Sequence, residues 1–463
     1  MIPYPYQKEC LQEMEDFQGR TLVSLDMGLG KTPISLWHLR RHLPKSLPAV
    51  IVCPASVKWQ WFDEIQHVMK KTAFVCEGRI PPRDFPDHDI FLVNYDILAP
   101  VTRKVKGVKK TYPGWSAWLR RLCPKNIILD ECQSIANYTS RTQACRRLCK
   151  NVKGIIALSG TPLLNRPMEL FNTLNIIRPD LFSSRIRFGQ RYCGPVVTPW
   201  AVEYKGSSNE RELHELLTDN LMIRRKKRDV LPDLPDKIRR VITLPVKNIK
   251  EYKQARDSFL AWLHGKDPIK AAKAIKAEAL VRVPYLLRLA AELKLDYAIE
   301  WINSFMEDSD EKLVVFAKHK HIISELNKRT VQKSVVIDGS VTGRRRTDTV
   351  NQFKNDDEIR LLIGNIQAAG TGIDGLQVAK NAAFVELPWQ PGAALQAEDR
   401  IYRIGTVEDV WIWYLVAKDT AEVKLCKLLQ HKQEIASSVL DGEHAEAEYD
   451  VFSKLLESIL EED

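Results

Sequence analysis

Residues Asp26 to Thr32, near the start of the chain, are of the types that bind the phosphates of a nucleotide. Gly28 and Gly30 let backbone N–H groups close around phosphate oxygens, where a side chain would block the approach. Lys31 supplies a positive charge for the outer phosphates, and the hydroxyl of Thr32 is a suitable ligand for Mg²⁺. The run therefore predicts a phosphate-binding loop.

Two carboxylates, Asp130 and Glu131, directly follow the apolar run from Asn126 to Leu129. A carboxylate at the end of a strand, in a sheet that also carries a phosphate loop, is placed to hold Mg²⁺. Glu131 is then placed to orient and deprotonate an attacking water. An acidic pair after an apolar run is also a common loop start, so the catalytic interpretation depends on the phosphate loop. Ser159 and Thr161 follow the next apolar run. Their hydroxyls could sense a nearby phosphate or carboxylate, or the segment could be an ordinary turn.

Arg400 and Arg403 lie three residues apart, so on a helix they share one face. From a second domain, such a pair can stabilise charge in phosphoryl transfer as arginine fingers. The alternative is a solvated basic helix in which Glu398 and Asp399 are local partners.

These residues follow short apolar runs that are typical of buried parallel strands, arranged in two similar α/β blocks. The helix predicted from Ile34 to Arg41 places the phosphate loop between a strand and a helix. The runs are Leu22–Leu25, Ala49–Cys53, Ile90–Val93, Asn126–Leu129 and Gly154–Leu158 in the first block, and Lys312–Phe316, Ser334–Ile337, Arg360–Gly364 and Ala382–Glu386 in the second. Between the blocks, Asn165 to Arg288 is rich in helix formers and charge, and a helix is predicted from Ala271 to Val283.

The composition is that of a globular protein, with 44% apolar and 28% charged residues among 463. This length predicts two or more domains. Lys and Arg outnumber Asp and Glu by 69 to 59, which suits a polyanionic partner or simply a basic enzyme. No signal peptide or membrane-spanning run is evident, so we expect an intracellular protein without a membrane partner. The nine cysteines form no C-x-x-C pair, so reduced thiols are expected and zinc is not.

Taken in order, four runs resemble motifs I, II, III and VI of superfamily 2 helicases of the Swi2/Snf2 group. These runs are Asp26–Thr32, Asp130–Gln133, Leu158–Pro167 and Gln396–Gly405. Other runs resemble the Q motif (Tyr6–Gln7), motif Ia (Cys53–Trp61), the segment between the lobes (Met222–Pro235), the block before motif V (Asp338–Ser340) and motif V itself (Ala368–Asp374). The resemblance covers almost the whole chain. The short insertions are most similar to the compact annealing-helicase branch and its bacterial or phage relatives.

The resemblance implies an α/β fold of two tandem RecA-like lobes, with parallel sheets flanked by helices and helical insertions between the lobes. The predicted segments are an ATP-binding first lobe (1–164), a helical insertion and inter-lobe linker (165–290), a second lobe (291–440) and an acidic helical tail (441–463).

ATP and Mg²⁺ are the cofactors that the resemblance implies. The nucleotide would be held by Gln7 at the adenine and by Gly28, Gly30, Lys31, Thr32 and Asp130, with Thr32 and Asp130 at the metal. Glu131 would activate water, Arg400 and Arg403 would complete the site, and Gln396 lies at the usual coupling position. Gln133 replaces the commoner His that links hydrolysis to nucleic-acid binding. Tyr402 and Thr406 replace the usual His and Gln around the second arginine, and motif V carries Ala and Ile where Gly and Leu are commoner.

Contacts to a nucleic-acid backbone need cations, small hydroxyls and amides at loop ends. The candidates are Ser56, Lys58, Asn94, Lys318 and Thr371, with a basic loop over Arg103–Lys110. For any single lysine, a solvated surface charge is an equal alternative. Nothing in the sequence is typical of a base-reading module, so backbone recognition with little sequence specificity is expected.

The sequence therefore predicts an ATP-dependent DNA translocase, a helicase-like motor that moves along or remodels duplex or branched DNA. One alternative is an RNA-stimulated or strand-separating helicase, and another is a nucleotide-gated DNA-binding module without turnover. The expected location is the cytoplasm of a bacterial or phage-infected cell, or the nucleus of a eukaryote. The sequence does not decide whether additional protein subunits take part.

Overall fold

The computed structural model describes residues 2–105, 108–198, 201–259, 278–341, 344–366 and 375–442. They fall into two compact units, and the chain leaves the first unit between Asp233 and Leu234 and returns to it between Gln433 and Glu434. Motif V with Thr371, residues 271–277 of the predicted alanine-rich helix, and the tail beyond residue 442 lie outside the described residues.

The first unit is built on a seven-stranded sheet in the order β11-β1-β8-β7-β2-β4-β3, in which every pair is parallel. The strands are β1 Arg20–Leu25, β2 Ala49–Cys53, β3 Phe74–Val75, β4 Ile90–Asn94, β7 Asn126–Asp130, β8 Gly154–Leu158 and β11 Met222–Arg225, with two hairpins, β5 Val101–Val105 with β6 Val108–Tyr112 and β9 Val196–Val197 with β10 Val202–Glu203.

The helices of the first unit are α1 Pro5–Asp16, α2 Lys31–Arg41, α3 Lys58–Met69, α4 Tyr95–Leu98, α5 Ser116–Arg121, α6 Ser140–Cys149, α7 Phe171–Ile177, α8 Arg185–Tyr192, α9 Glu210–Asn220 and α10 Lys227–Val230. Short 3₁₀ turns lie at Ala55–Val57, Cys132–Ile135 and Pro167–Glu169.

The segment from Arg103 to Lys110 was predicted as a basic loop, and that prediction is wrong. Its described residues lie on β5 (Arg103–Val105) and on β6 (Val108–Lys110), where Arg103 pairs with Lys110. A hydrogen bond of 2.9 Å between the hydroxyls of Thr102 and Thr111 joins the strands. β-Branched residues recur along both strands, which favours extended backbone despite the high charge.

The second unit is built on a six-stranded parallel sheet in the order β12-β17-β16-β13-β15-β14. Its strands are β12 Lys237–Leu244, β13 Leu313–Ala317, β14 Ser334–Ile337, β15 Leu361–Asn365, β16 Asn381–Phe384 and β17 Val410–Ala417. Its helices are α11 Ile249–Asp257, α12 Glu278–Asp308, α13 Lys320–Arg329, α14 Arg344–Asn355 and α15 Pro391–Glu398, with a 3₁₀ turn at Leu376–Val378. The last helix, α16 Ala421–Asp441, begins in this unit and ends in the first.

Each sheet is covered on both faces, because alternate residues of a strand enter different apolar clusters. In β1, Leu22 packs into one cluster, and Val23 and Leu25 pack into another. In β13, Val314 and Val315 divide in the same way. Parallel α/β sheets of this kind bind ligands at the carboxyl ends of their strands. The predicted fold class is confirmed: two parallel sheets, each flanked by helices. Across the described ranges, no helix has the length and apolar character needed to cross a membrane.

Candidate nucleotide site

The phosphate loop connects β1 to α2, and both of its glycines adopt left-handed backbone, with φ of +86° at Gly28 and +77° at Gly30. Residues other than glycine adopt these angles only with strain. A Cβ atom on Gly30 would also lie 2.6 Å from Nε2 of Gln7. A side chain at position 30 would therefore strain the left-handed backbone and displace the amide of Gln7.

Gln7 is attached directly to the phosphate loop. Its Nε2 donates to the carbonyl of Leu29 at 3.3 Å, and its Oε1 accepts from the amide of Tyr4 at 2.9 Å. The hydroxyl of Tyr6 donates to the same Leu29 carbonyl at 3.1 Å. The start of α1 and the phosphate loop are thus held together by side chains of the predicted Q motif.

Lys31 points its ammonium into the loop, where Nζ donates to the carbonyls of Leu25 at 2.8 Å and Asp26 at 3.2 Å. Burial lowers the pKa of Lys31 to about 8, although the nearby carboxylates of Glu131, Asp26 and Asp130 act to raise it. The cation is therefore within electrostatic reach of Glu131, the predicted general base, and of Asp130, the predicted metal ligand. Thr32 follows it in the first turn of α2, partly buried.

Asp130 ends β7 with its carboxylate held by two donors. Nε1 of Trp61 donates to Oδ2 at 2.8 Å, and the amide of Glu131 donates to Oδ1 at 3.0 Å. Burial, and secondarily the charge of Glu131, raise the pKa of Asp130 to about 7. A divalent cation would stabilise a carboxylate in such surroundings, and oxygen donors such as those of Asp130 and Thr32 are the ligands that Mg²⁺ prefers. The residues present therefore fit a Mg²⁺ site.

Glu131 is linked to the hydroxyl residues that follow β8. Its backbone is left-handed, with φ of +49°. Nε2 of Gln133 donates to Oε2 of Glu131 at 2.6 Å, and Oγ of Ser159 donates to Oε1 of Gln133 at 2.7 Å. Oγ of Ser159 in turn accepts from the amide of Thr161 at 3.1 Å. A continuous chain of hydrogen bonds thus connects the predicted general base to Thr161.

Arg224, which the sequence analysis did not single out, anchors the phosphate loop from β11. Its guanidinium contacts Oδ1 of Asp26 at 2.8 Å and Oδ1 of Asp441 at 2.7 Å. The amide of Lys227 also donates to Asp26, at 2.9 Å. Burial acts to raise the pKa of Asp26, but Arg224 and the Lys227 amide outweigh it, so that pKa is lowered. Asp26 is therefore a fixed anion at the base of the loop.

In the second unit, Arg400 and Arg403 do not share a helix face, and that prediction is wrong. Helix α15 ends at Glu398, and both arginines lie in the turns that follow it. Thr406 shapes these turns, since its Oγ1 accepts from the amide of Arg403 at 3.1 Å and donates to the carbonyl of Ile401 at 3.3 Å. Arg400 is buried, and Gln396 is partly buried on α15.

Glu398 fastens these turns to β12. It is fully buried and contacts Arg239 at 2.7 Å and Lys237 at 3.0 Å, and the hydroxyl of Tyr414 donates to it at 2.5 Å. Burial acts to raise the pKa of Glu398, but Arg239 and Lys237 hold it well below its usual range. The alternative of a solvated helix with Glu398 as a local partner is therefore wrong.

The residues predicted to contact nucleic acid are placed differently from one another. Ser56 and Lys318 are exposed. Lys58 and Asn94 are buried, with Nζ of Lys58 donating to the carbonyl of Cys76 at 2.9 Å and to Oδ1 of Asn94 at 3.4 Å. A phosphate contact by Lys58 would require it to give up these bonds.

Comparisons with known proteins agree with the motifs. The SNF2-related domain family matches residues 6–293, and the helicase conserved C-terminal domain matches residues 293–405. The SWI/SNF-related matrix-associated actin-dependent regulator of chromatin subfamily A-like protein 1 of Xenopus tropicalis is 32% identical over 92% of this chain and 44% of that protein. The DNA annealing helicase and endonuclease ZRANB3 of Bos taurus is 29% identical over 95% of this chain and 40% of that protein.

The chain thus spans less than half the length of these two relatives. The solved Sulfolobus solfataricus SWI2/SNF2 ATPase core in complex with dsDNA is 21% identical over 99% of this chain and 96% of that chain, with a TM-score of 0.43, which is too low to support a conclusion. The SNF2-related family, by contrast, matches well over half of the sequence. The chain therefore belongs to the SNF2-related family of helicase-like proteins.

Proposed function

We propose that this chain is a DNA-dependent ATPase that uses hydrolysis to move along or remodel duplex or branched DNA. The observation that carries the proposal is that the charges of Glu131 and Asp130 both act to raise the pKa of the buried Lys31 ammonium, while the ammonium itself donates to the phosphate loop. Lys31 follows β1, Asp130 ends β7 and Glu131 follows it, and both strands flank β8 in one parallel sheet. A cation, a metal-binding carboxylate and a base at one sheet edge are the parts that hydrolysis of a nucleoside triphosphate needs.

Each residue of the first unit has a specific role in the proposal. Lys31 neutralises the outer phosphates, and the amides around Gly28 and Gly30 bind their oxygens. Thr32 and Asp130 would hold Mg²⁺, which supplies charge neutralisation at the phosphates when bound. Glu131 accepts the proton of the attacking water, and Gln133 holds its carboxylate in place. Gln7 is proposed to contact the adenine.

Arg400 and Arg403 are proposed to stabilise the negative charge that develops on the transferring phosphate. The proposal is supported by the contacts around the turns that carry both arginines. Hydrogen bonds to Thr406 and ion pairs of Glu398 hold these turns in place. Such positioning lowers the entropy lost when the charges engage a phosphate. Gln396, one turn earlier on α15, is proposed to couple their engagement to DNA binding.

The proposed partner is the DNA backbone, with little dependence on base sequence. The two relatives are by name a chromatin regulator and a DNA annealing helicase, which favours duplex or branched DNA over RNA. Ser56 and Lys318 are exposed at loops that follow strands of the two sheets and are proposed contacts, as are Lys58, Asn94 and Thr371. The site of action would then be wherever cellular DNA lies.

ATP hydrolysis measured across a panel of nucleic acids tests the proposal. The panel holds duplex DNA, forked DNA, single-stranded DNA and RNA, each with Mg²⁺. We expect duplex or forked DNA to raise turnover at least tenfold over the protein alone. A preference for RNA would replace the proposal by an RNA-stimulated helicase, and turnover at background with every ligand would replace it by a nucleotide-gated binding module.

A further inference from the structure

Helices α1 and α2 bring a carboxylate and two imidazoles together, away from the phosphate loop. Glu15 lies in the last turn of α1, His38 lies on α2, and His42 is the residue that caps the end of α2. Nε2 of His42 is 2.7 Å and 2.8 Å from the two carboxylate oxygens of Glu15. Nδ1 of His38 is 3.4 Å from Oε1 of the same carboxylate. One nitrogen of each ring therefore points to a common acidic group.

His38 is the member of this cluster that an ordinary ion pair does not explain. It is only 5% exposed, and its Nδ1 has no hydrogen-bond partner among the residues that the structure describes. Leaving such a buried polar atom unsatisfied costs about 1–3 kcal/mol. The hydrogen bond between His42 and Glu15 satisfies those two side chains but leaves Nδ1 of His38 unsatisfied. A single cation among the three would satisfy Nδ1 of His38 as well.

The geometry suits a small tetrahedral ion. The candidate ligand atoms of the three side chains all lie within 4.8 Å of one another. Zinc bonds of about 2.0–2.1 Å in a tetrahedral site place neighbouring ligand atoms about 3.3 Å apart, close to the separation of His38 and Glu15. His42 would need to withdraw from Glu15 by less than about 1 Å to reach it. That adjustment is within the reach of an exposed side chain.

The surroundings leave room for the His38 ring and keep it neutral. Gly19 has φ of +69°, and a Cβ atom there would lie 3.2 Å from Nε2 of His38. Burial, with a smaller contribution from His42 and against the effect of Glu15, lowers the pKa of His38 to about 4. Neutral imidazole is the form that binds metals. Arg41 is the neighbouring cation that opposes a further positive charge here.

We propose that Glu15, His38 and His42 form a binding site for one divalent transition-metal ion of the zinc class. Two imidazoles and one carboxylate favour such an ion over Mg²⁺ or Ca²⁺, which prefer oxygen ligands only. The site joins α1, which carries Gln7, to α2, which begins at Lys31. Metal binding therefore stabilises the two helices that hold the nucleotide site, and it does not depend on the proposed ATPase activity.

Zinc binding to the full chain, measured by isothermal titration calorimetry in excess Mg²⁺, tests the proposal. A Cys123→Ser background removes an exposed thiol, because a cysteine thiolate is a ligand for zinc in any protein. We expect one saturable site and a rise in the unfolding temperature with Zn²⁺. His42→Gln, at an exposed position, should lower the affinity at least tenfold and abolish the thermal shift, whereas His67→Gln, an exposed histidine on α3, should change neither.

Visible absorption with Co²⁺ gives a second readout, because a site with nitrogen and carboxylate ligands produces d–d bands that Glu15→Gln should remove. Equal zinc affinity in the Cys123→Ser protein and its His42→Gln derivative would overturn the proposal. So would the lack of any saturable binding to the Cys123→Ser protein.

Discussion

The side-chain amide of Gln133 donates a hydrogen bond of 2.6 Å to Oε2 of Glu131. The carbonyl end of the same amide accepts a bond of 2.7 Å from Ser159. A neutral histidine, the commoner residue at this motif position, also offers one donor and one acceptor. Gln133 can therefore form the hydrogen-bonded link between Glu131 and Ser159 that a histidine at this position would otherwise provide.

We expect Gln133→Ala to lower DNA-stimulated ATP turnover about 10- to 100-fold, because Glu131 loses the donor that orients it. Ser159→Ala should have a smaller effect, and the double variant should be no slower than Gln133→Ala alone. Steady-state hydrolysis with duplex DNA measures all three, and thermal unfolding checks that they fold. Independent, multiplicative losses would show that the two residues do not act through one chain.

Asp130 should make the protein less stable as pH rises. Its pKa of about 7 in the folded protein lies above its usual 3.8, so the folded state binds more protons than the unfolded state between these values. The free energy of unfolding therefore falls from about pH 4 to about pH 7 and changes no further above that.

We expect Asp130→Asn, without nucleotide or Mg²⁺, to lose this dependence and to be more stable than the unaltered protein at pH 8. The gain should be on the order of 1–2 kcal/mol, because residual solvent screens part of the cost. Urea denaturation from pH 4 to pH 8 measures it. Asp96→Asn, at an exposed ion pair with Arg141, is the control. Parallel curves for Asp130→Asn and the unaltered protein would contradict the assignment.

Glu398 should contribute strongly to stability at neutral pH. Glu398→Gln leaves Arg239 and Lys237 beside a buried neutral group, so a loss of about 3–5 kcal/mol is expected. Glu408→Gln removes an exposed pair with Lys380 and should cost under about 1 kcal/mol.

The pH dependence of this loss has a definite sign. The pKa of Glu398 is held below its usual 4.5, so its contribution is complete above about pH 4.5 and is lost as pH falls below that. Denaturation curves of Glu398→Gln and the unaltered protein should therefore differ at pH 7 and converge at acid pH. A difference that persists undiminished into acid would argue against an ionised Glu398.

Gly30→Ala should damage nucleotide binding more than backbone strain alone explains. Gly30 and Gly78 both have left-handed backbone, with φ of +77° and +64°. A Cβ on Gly30 meets Gln7, whereas a Cβ on Gly78 meets nothing within 4 Å. Strain of about 1–2 kcal/mol is expected for both alanine variants. Only Gly30→Ala should weaken ATP binding, by about tenfold or more, as measured by fluorescence titration; equal affinities in both variants would contradict the contact.

The sequence predicts the parallel strands that carry the phosphate loop and the acidic pair because each contains a run of mostly apolar residues. β7 and β8 have the predicted starts, and β8 the predicted end. β11 was not predicted, since its charged residues Arg224 and Arg225 do not form an apolar run. Its place beside β1 depends on ion pairs with Asp26, Asp441 and Glu13, which are distant in sequence.

The side-chain partners of the site were the least predictable part. The link from Glu131 through Gln133 to Ser159 depends on β7 and β8 being neighbours, which periodicity does not reveal. The end of α15 at Glu398 depends on buried pairs with β12, again a long-range effect. The histidines at 38 and 42 did carry a signal, since side chains four residues apart lie on the same side of a helix end, but Glu15, the third proposed ligand, comes from another helix.

The most direct test of the proposed DNA-dependent ATPase activity is a measurement of ATP hydrolysis. It compares the unaltered protein with Glu131→Gln, each with and without duplex DNA. Glutamine keeps the size of the side chain but cannot accept the proton of the attacking water. We expect DNA-stimulated turnover in the unaltered protein and a loss of at least 100-fold in Glu131→Gln, with ATP binding retained. Hydrolysis that DNA does not stimulate, or full activity in Glu131→Gln, would contradict it.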